Sequence, residues 1–130
     1  MRTLRWPRIW LGLWLAAIIS VIVLSLLPPP AMAVQAPRNA DKLLHFCAYF
    51  ALAFAALQLF ERRAILIACA LGLVGLGLVL EWAQGALVPD TRSADPWDGL
   101  SNSLGVLGAM ALVRTPLASC LHELERRLRT

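Results

Sequence analysis

Apolar residues run almost unbroken in four places along the chain, and polar residues collect between them. The first run goes from about Ile9 to Leu27 and stops at Pro28-Pro29-Pro30. The second runs from Leu43 to Phe60, the third from Ala64 to Val88, and a shorter fourth from about Asp98 to Val113. Crossing ~30 Å of hydrocarbon takes about 20 helical residues. Three runs meet that length, and the fourth spans only with little tilt or where the bilayer thins. Leu117, Leu121, Leu124 and Leu128 then recur at helical spacing among Glu123, Glu125, Arg126 and Arg127. That stripe predicts an amphipathic helix over about 116–129, lying on the membrane surface with His122 as a solvated or interfacial member. The pattern as a whole predicts an all-α integral membrane bundle forming one domain, 1–130. It has four transmembrane helices (9–27, 43–60, 64–88 and 98–113) plus the short amphipathic C-terminal helix.

Composition reinforces this: 59% of the residues are hydrophobic and 15% charged, and mean hydropathy is +0.68. A soluble domain carries about 25% charged residues. Cys47, Cys69 and Cys120 are far apart, with no metal-binding spacing, and Cys47 and Cys69 read as small buried hydrophobes. The net charge of +4 includes no basic stripe with interleaved aromatics, so no nucleic-acid partner is expected.

Where the charge sits sets an expected orientation. Arg2, Arg5 and Arg8 precede the first run, and Arg62 and Arg63 fill the turn between the second and third. Arg114, Arg126, Arg127 and Arg129 follow the fourth, making nine of the twelve basic residues on one side of a four-span topology. Only Arg38, Lys42 and Arg92 fall on the other side. Basic residues favour the cytoplasmic side, so both termini are expected there, with loops 28–42 and 88–99 outside. Ala31-Met32-Ala33 after the first run also fits a signal-peptidase site. The run of about 18 residues exceeds the ~7–15 usual for a signal peptide, which favours a retained helix.

In this topology the unusual polar residues share the outward side. Asp41, His45 and Tyr49 are spaced i, i+4, i+8, so one helix face carries all three, with Lys42 beside them. Glu81 and Gln84 lie near the outer end of the third run, Glu81 roughly 10 Å inside it at 1.5 Å per residue. The following loop supplies Asp90, Arg92 and Asp95, and Asp98 and Asn102 open the fourth run. Gly105 and Gly108 let helices approach closely. Taken singly, each has an ordinary role. Asp41 and Asp98 suit helix starts, Tyr49, Trp82 and Trp97 suit the interface, Arg92 can neutralise loop acids, and His45 can join two helices. Glu81 resists such a reading, because a carboxylate inside a span is costly and marks a functional site by default.

The stretches "DKLLHFCAYFALAF", "LEWAQ" and "TRSADPWDGLSNSLG" together resemble the VanZ-like membrane protein family over about residues 40–113. The shared pattern is Asp-Lys-x-x-His-x-x-x-Tyr, then Glu-x-x-Gln, then Arg-x-x-Asp-x-x-Asp-x-x-x-Asn-x-x-Gly. Trp82, Gly85 and the wording before Asp98 depart from it slightly. The resemblance implies a bacterial cytoplasmic-membrane protein acting on lipid head groups or lipid-linked cell-wall intermediates. It also implies a link to low-level resistance to teicoplanin, a glycopeptide.

On the enzymatic reading the protein is a hydrolase or transferase of lipid phosphate head groups. His45 is its base or nucleophile, Asp41 orients it, and Glu81 is a desolvated acid. Lys42 and Arg92 would hold phosphate oxygens. Asp95, Asp98 and Asn102 would orient these groups or hold a divalent cation such as Mg²⁺. Tyr49 and Gln84 would line the substrate side. Two alternatives remain at this stage: a site that binds or helps transport a lipid or antibiotic without chemistry, and polar residues that only join helices.

Overall fold

The computed structural model describes residues 1–28, 38–87 and 95–128, and contains helices and no strand among them. The helices are α1 (Pro7–Leu26), α2 (Arg38–Leu59), α3 (Arg63–Leu87), α4 (Pro96–Ala111) and α5 (Cys120–Arg127). Short 3₁₀ segments, Leu112–Arg114 and Pro116–Ser119, join the last two. Three helices are long and apolar enough to cross a membrane, and there are up to four if α4 and the segment bent from it by 90° count as one span. At 16 residues α4 reaches only about 24 Å, as the short fourth apolar run predicts.

The helices start and stop for local reasons. Pro7 opens α1, where its missing N–H costs nothing. α2 begins at Arg38, well before its apolar run, because its polar first turns continue the helix. Pro116 cannot donate a backbone hydrogen bond, and the chain bends there. The tail therefore departs from the single amphipathic helix expected over 116–129: its first turn is 3₁₀ and only Cys120–Arg127 is α-helical.

Side-chain bonds fix the directions. The Trp14 indole donates to the Leu52 carbonyl at 2.9 Å, and the Arg2 backbone N–H donates to the Leu59 carbonyl at 2.7 Å. The first turns of α1 thus meet the last turns of α2, and the two run antiparallel. Gln84 meets Ser25, so α1 and α3 run parallel. Lys42 meets Asp98, so α2 and α4 also run parallel. The result is an up-down-up-down bundle with α2 and α4 in the most extensive contact.

That contact depends on Gly105. A Cβ there would collide with the Phe46 carbonyl oxygen and lie 2.9 Å from the Phe50 nitrogen. Only glycine lets the backbones of α2 and α4 approach so closely. Tyr49, Leu52, Ala53, Leu73, Val106 and Ala109 form the core around this crossing. α1 is different, with no buried residue; a helix apolar all round belongs in lipid. Cys47, expected to be buried, is exposed on the outer face of α2, where lipid can cover a small apolar side chain as well as a protein core can.

The two ends of the bundle differ in charge. Arg2, Arg5, Arg8, Arg62, Arg63, Arg114, Arg126 and Arg127 all belong to the end formed by the start of α1, the α2–α3 turn and α5. Buried Glu125 locks that end, accepting from the Arg5 N–H and, at 2.8 Å, from the Trp10 indole. Gln58 is a second lock: it donates to the Leu117 carbonyl at 2.9 Å and accepts from the Leu121 N–H at 3.1 Å. The opposite end holds the starts of α2 and α4 and the ends of α1 and α3. Trp82 and Trp97 stand exposed there, as aromatics do at a membrane interface.

Candidate functional site

The end opposite the arginines gathers most of the polar residues singled out in the sequence. Helical spacing puts Asp41, His45 and Tyr49 on one face of α2, which is the face turned to α4 and α3. On α4, Asp95 caps the helix, its Oδ1 accepting the Trp97 N–H at 2.9 Å with Pro96 in the first turn. Asp98 follows in the first turn, where the helix dipole favours a negative charge.

Three sets of contacts tie the helices together. The Lys42 ammonium lies 2.7 Å from Asp95 Oδ2 and 3.1 Å from Asp98 Oδ1, bridging α2 to both acids. His45 Nδ1 lies 3.0 Å from Asn102 Oδ1. An amide oxygen can only accept, so Nδ1 carries the proton and donates. The Asp95 N–H donates to Glu81 Oε1 at 2.7 Å, fastening the start of α4 to α3. Glu81, buried in the bundle, also lies in the electrostatic field of Asp98 and His45. Its oxygen thus has a backbone donor, which lowers the cost of placing a carboxylate there.

Gly77 makes room for this arrangement. A Cβ at Gly77 would stand 3.1 Å from the Asn102 amide nitrogen and 3.3 Å from the Tyr49 ring. Its absence lets Asn102 reach across to His45. Asn102 is 2% exposed, so its amide is held by packing as well as by hydrogen bonding.

Several expected roles shift. Asp41 lies 3.8 Å from His45 Nε2, too far for a hydrogen bond, so Asn102 rather than Asp41 orients the imidazole. Lys42 is paired with carboxylates instead of standing open to phosphate. Gln84 turns away, donating to the Ser25 carbonyl of α1 at 2.8 Å; the freed carbonyl at the end of a helix outcompetes the distant cluster for its amide. Tyr49 is buried beneath His45 rather than interfacial, and its hydroxyl has no partner among the described residues. Arg92 and Asp90 lie outside the described residues, as does the Ala31-Met32-Ala33 sequence.

The sequence reading passed over Gln58, Gly77 and Glu125. Glu125 had a usable signal: it follows Leu121 by four residues and so shares the leucine face of α5 instead of the solvated one. Gln58 stood out only as a single amide ending an apolar run. A groove of about 420 Å³ lies elsewhere, between α1 and α2, lined by Trp10, Leu13, Trp14, Leu52, Gln58 and Leu121 among others. Its lining holds no titratable group.

In the neutral imidazole His45 Nε2 carries the lone pair, and it lies beside exposed Asp41. With Nδ1–H fixed by Asn102, it can accept a proton, attack an electrophile or bind a cation. No protein-family model, curated protein or solved structure matches the chain.

Proposed function

We propose that this chain is a VanZ-like, four-span protein of the bacterial cytoplasmic membrane. Both termini face the cytoplasm, and the polar end faces outward, where it acts on a lipid head group or a lipid-linked cell-envelope intermediate. The observation that carries this reading is the bond between His45 and Asn102, which presents Nε2 among Asp41, Asp98 and Glu81 at the end away from the arginines. A lipid with its acyl chains in the bilayer can bring its phosphate head group to that depth. His45 serves there as base or nucleophile, and Glu81 as the proton donor to a leaving group. The resemblance to the VanZ-like family supports an envelope substrate and a part in resistance to glycopeptides such as teicoplanin.

A second reading, binding or transport assistance without chemistry, draws on one observation: Lys42 is already engaged by Asp95 and Asp98. The two readings separate by mass spectrometry of lipids incubated with protein reconstituted in bilayers. Catalysis gives a substrate–product pair that His45→Ala and Glu81→Gln abolish while the protein still melts cooperatively. Turnover unchanged in both variants overturns the assignment. A ligand retained but chemically unaltered supports the binding reading.

A further inference from the structure

The geometry points to a divalent transition-metal site at the mouth of the polar end, held by Asp41, His45 Nε2 and Asp98. One ligand atom from each of the three lies within 4.8 Å of the others. Nitrogen and oxygen ligands sit about 2.0–2.2 Å from zinc, so a small turn of the exposed Asp41 side chain closes the set around one ion.

Three further observations favour a cation. First, the Asn102 oxygen accepts the Nδ1–H of His45, so in the neutral ring the Nε2 lone pair faces an Asp41 carboxylate oxygen 3.8 Å away. Two acceptors turned toward each other call for a positive charge between them. Metal-binding histidines commonly donate their other N–H to a carbonyl or carboxylate in this way. Second, Asp41, Glu81 and Asp98 bring three carboxylates to this cluster, and Lys42 is bonded to one of them. A cation offsets the repulsion among them. Third, the Tyr49 hydroxyl is buried in a side chain only 2% exposed and has no partner among the described residues. Helical side chains tilt toward the helix N-terminus, so Tyr49 leans toward this same end, within the field of Glu81. A buried hydroxyl so placed takes a polar partner such as a water or a head-group oxygen near the ion.

The donor set selects the metal. One imidazole nitrogen with two carboxylate oxygens suits zinc or manganese better than magnesium or calcium, which prefer oxygen alone. Three protein ligands leave positions open for water or a phosphate oxygen. The site itself stands on geometry, but its use in catalysis rests on the proposed head-group reading and changes one role within it. With the ion bound, Nε2 is a ligand and no longer the base, and a metal-held water supplies the nucleophile.

Isothermal titration of chelator-stripped protein in detergent, with Zn²⁺, Mn²⁺ and Mg²⁺ and no lipid present, tests the site. One Zn²⁺ or Mn²⁺ should bind per chain, Mg²⁺ at least tenfold more weakly, and His45→Gln and Asp98→Asn should each lose the heat. Lys42→Met should bind Zn²⁺ about tenfold more tightly, because it removes a positive charge beside Asp98. A gain of affinity cannot come from misfolding. No zinc or manganese heat in wild type and Lys42→Met, or binding that survives His45→Gln, overturns the proposal. Lipid turnover that depends on His45 yet resists chelation also overturns it, while leaving the enzymatic reading in place. Metal binding without lipid turnover supports the site and counts against that reading alone.

Discussion

His45 and Asn102 join α2 to α4 through one hydrogen bond of 3.0 Å, and the asparagine is the more deeply buried of the two. The bond sets which imidazole nitrogen is available, so Asn102 is a positioning residue. Asn102→Ala should lower lipid turnover or metal affinity at least tenfold and cost about 1–3 kcal/mol of stability. Asn102→Asp keeps the accepting oxygen and should recover much of the function even where stability stays reduced. That recovery, read beside thermal melting in detergent, distinguishes positioning from packing. Equal functional loss in both variants would leave Asn102 a packing residue only.

Much of this site was legible in the sequence because helical periodicity aligns residues on a face before any tertiary information exists. Asp41, His45 and Tyr49 followed from i, i+4 spacing, and the segregation of arginines gave the two ends of the bundle. What periodicity cannot give is the choice among partners. Lys42 found Asp95 and Asp98, and Gln84 found a carbonyl of α1. Nor does a loop composition reveal that the backbone N–H of Asp95 neutralises part of the cost of Glu81. These are competitions between nearby donors, decided by distances of an ångström that spacing along one helix does not determine.

Gly105 is where α4 packs directly on the backbone of α2, and it bears directly on whether the site assembles. Gly105→Ala drives a methyl into the Phe46 backbone, and neither backbone can yield as a flexible side chain would. Overpacking of this kind costs about 1–3 kcal/mol or more, and it also separates His45 from Asn102. Gly108→Ala, whose added methyl meets the Phe50 and Phe46 rings at 3.5 and 3.7 Å in ordinary contact, should be nearly neutral. Comparing melting temperatures in detergent checks the contrast; equal melting of the two variants would contradict the tight crossing.

Glu125 fastens the tail to the start of α1 through the Arg5 N–H and the Trp10 indole. Glu125→Ala leaves both donors without that acceptor and should cost about 1–3 kcal/mol. The tail should then become accessible to trypsin at Arg126 and Arg127 while the membrane helices stay protected. Unchanged cleavage would mean that Gln58, through Leu117 and Leu121, is sufficient to hold α5.

Glu123 gives the tail a pH dependence of known sign. Its carboxylate accepts from Arg126 and Arg127, which pulls it from its ordinary 4.5 down to about 2. A depressed acid stabilises the folded form above its unfolded value and loses that contribution as pH falls through its folded value. The helical signal of the tail should therefore hold above pH 4.5 and decline between 4.5 and about 2. The pair is exposed, so the effect is small and weakens in high salt. A Glu123→Gln variant should lack this decline; an equal decline in the variant assigns it to another group.

Cys120 and Cys47 provide a test of the proposed orientation. Cys120 is exposed at the start of α5, at the arginine end, whereas Cys47 is exposed on the outer face of α2, which the proposed topology turns to lipid. A membrane-impermeant maleimide should therefore label the protein in inside-out vesicles and not in intact cells. Asp41→Cys in a Cys120→Ser background should reverse the pattern, because the start of α2 belongs to the other end of the bundle. The arginine count makes the prediction sharp: nine basic residues would have to face outward for the reverse orientation. Labelling of Cys120 from outside intact cells would turn the polar end to the cytoplasm. His45 and Glu81 would then meet cytoplasmic lipid head groups, and an extracellular glycopeptide target would no longer be within reach of the site.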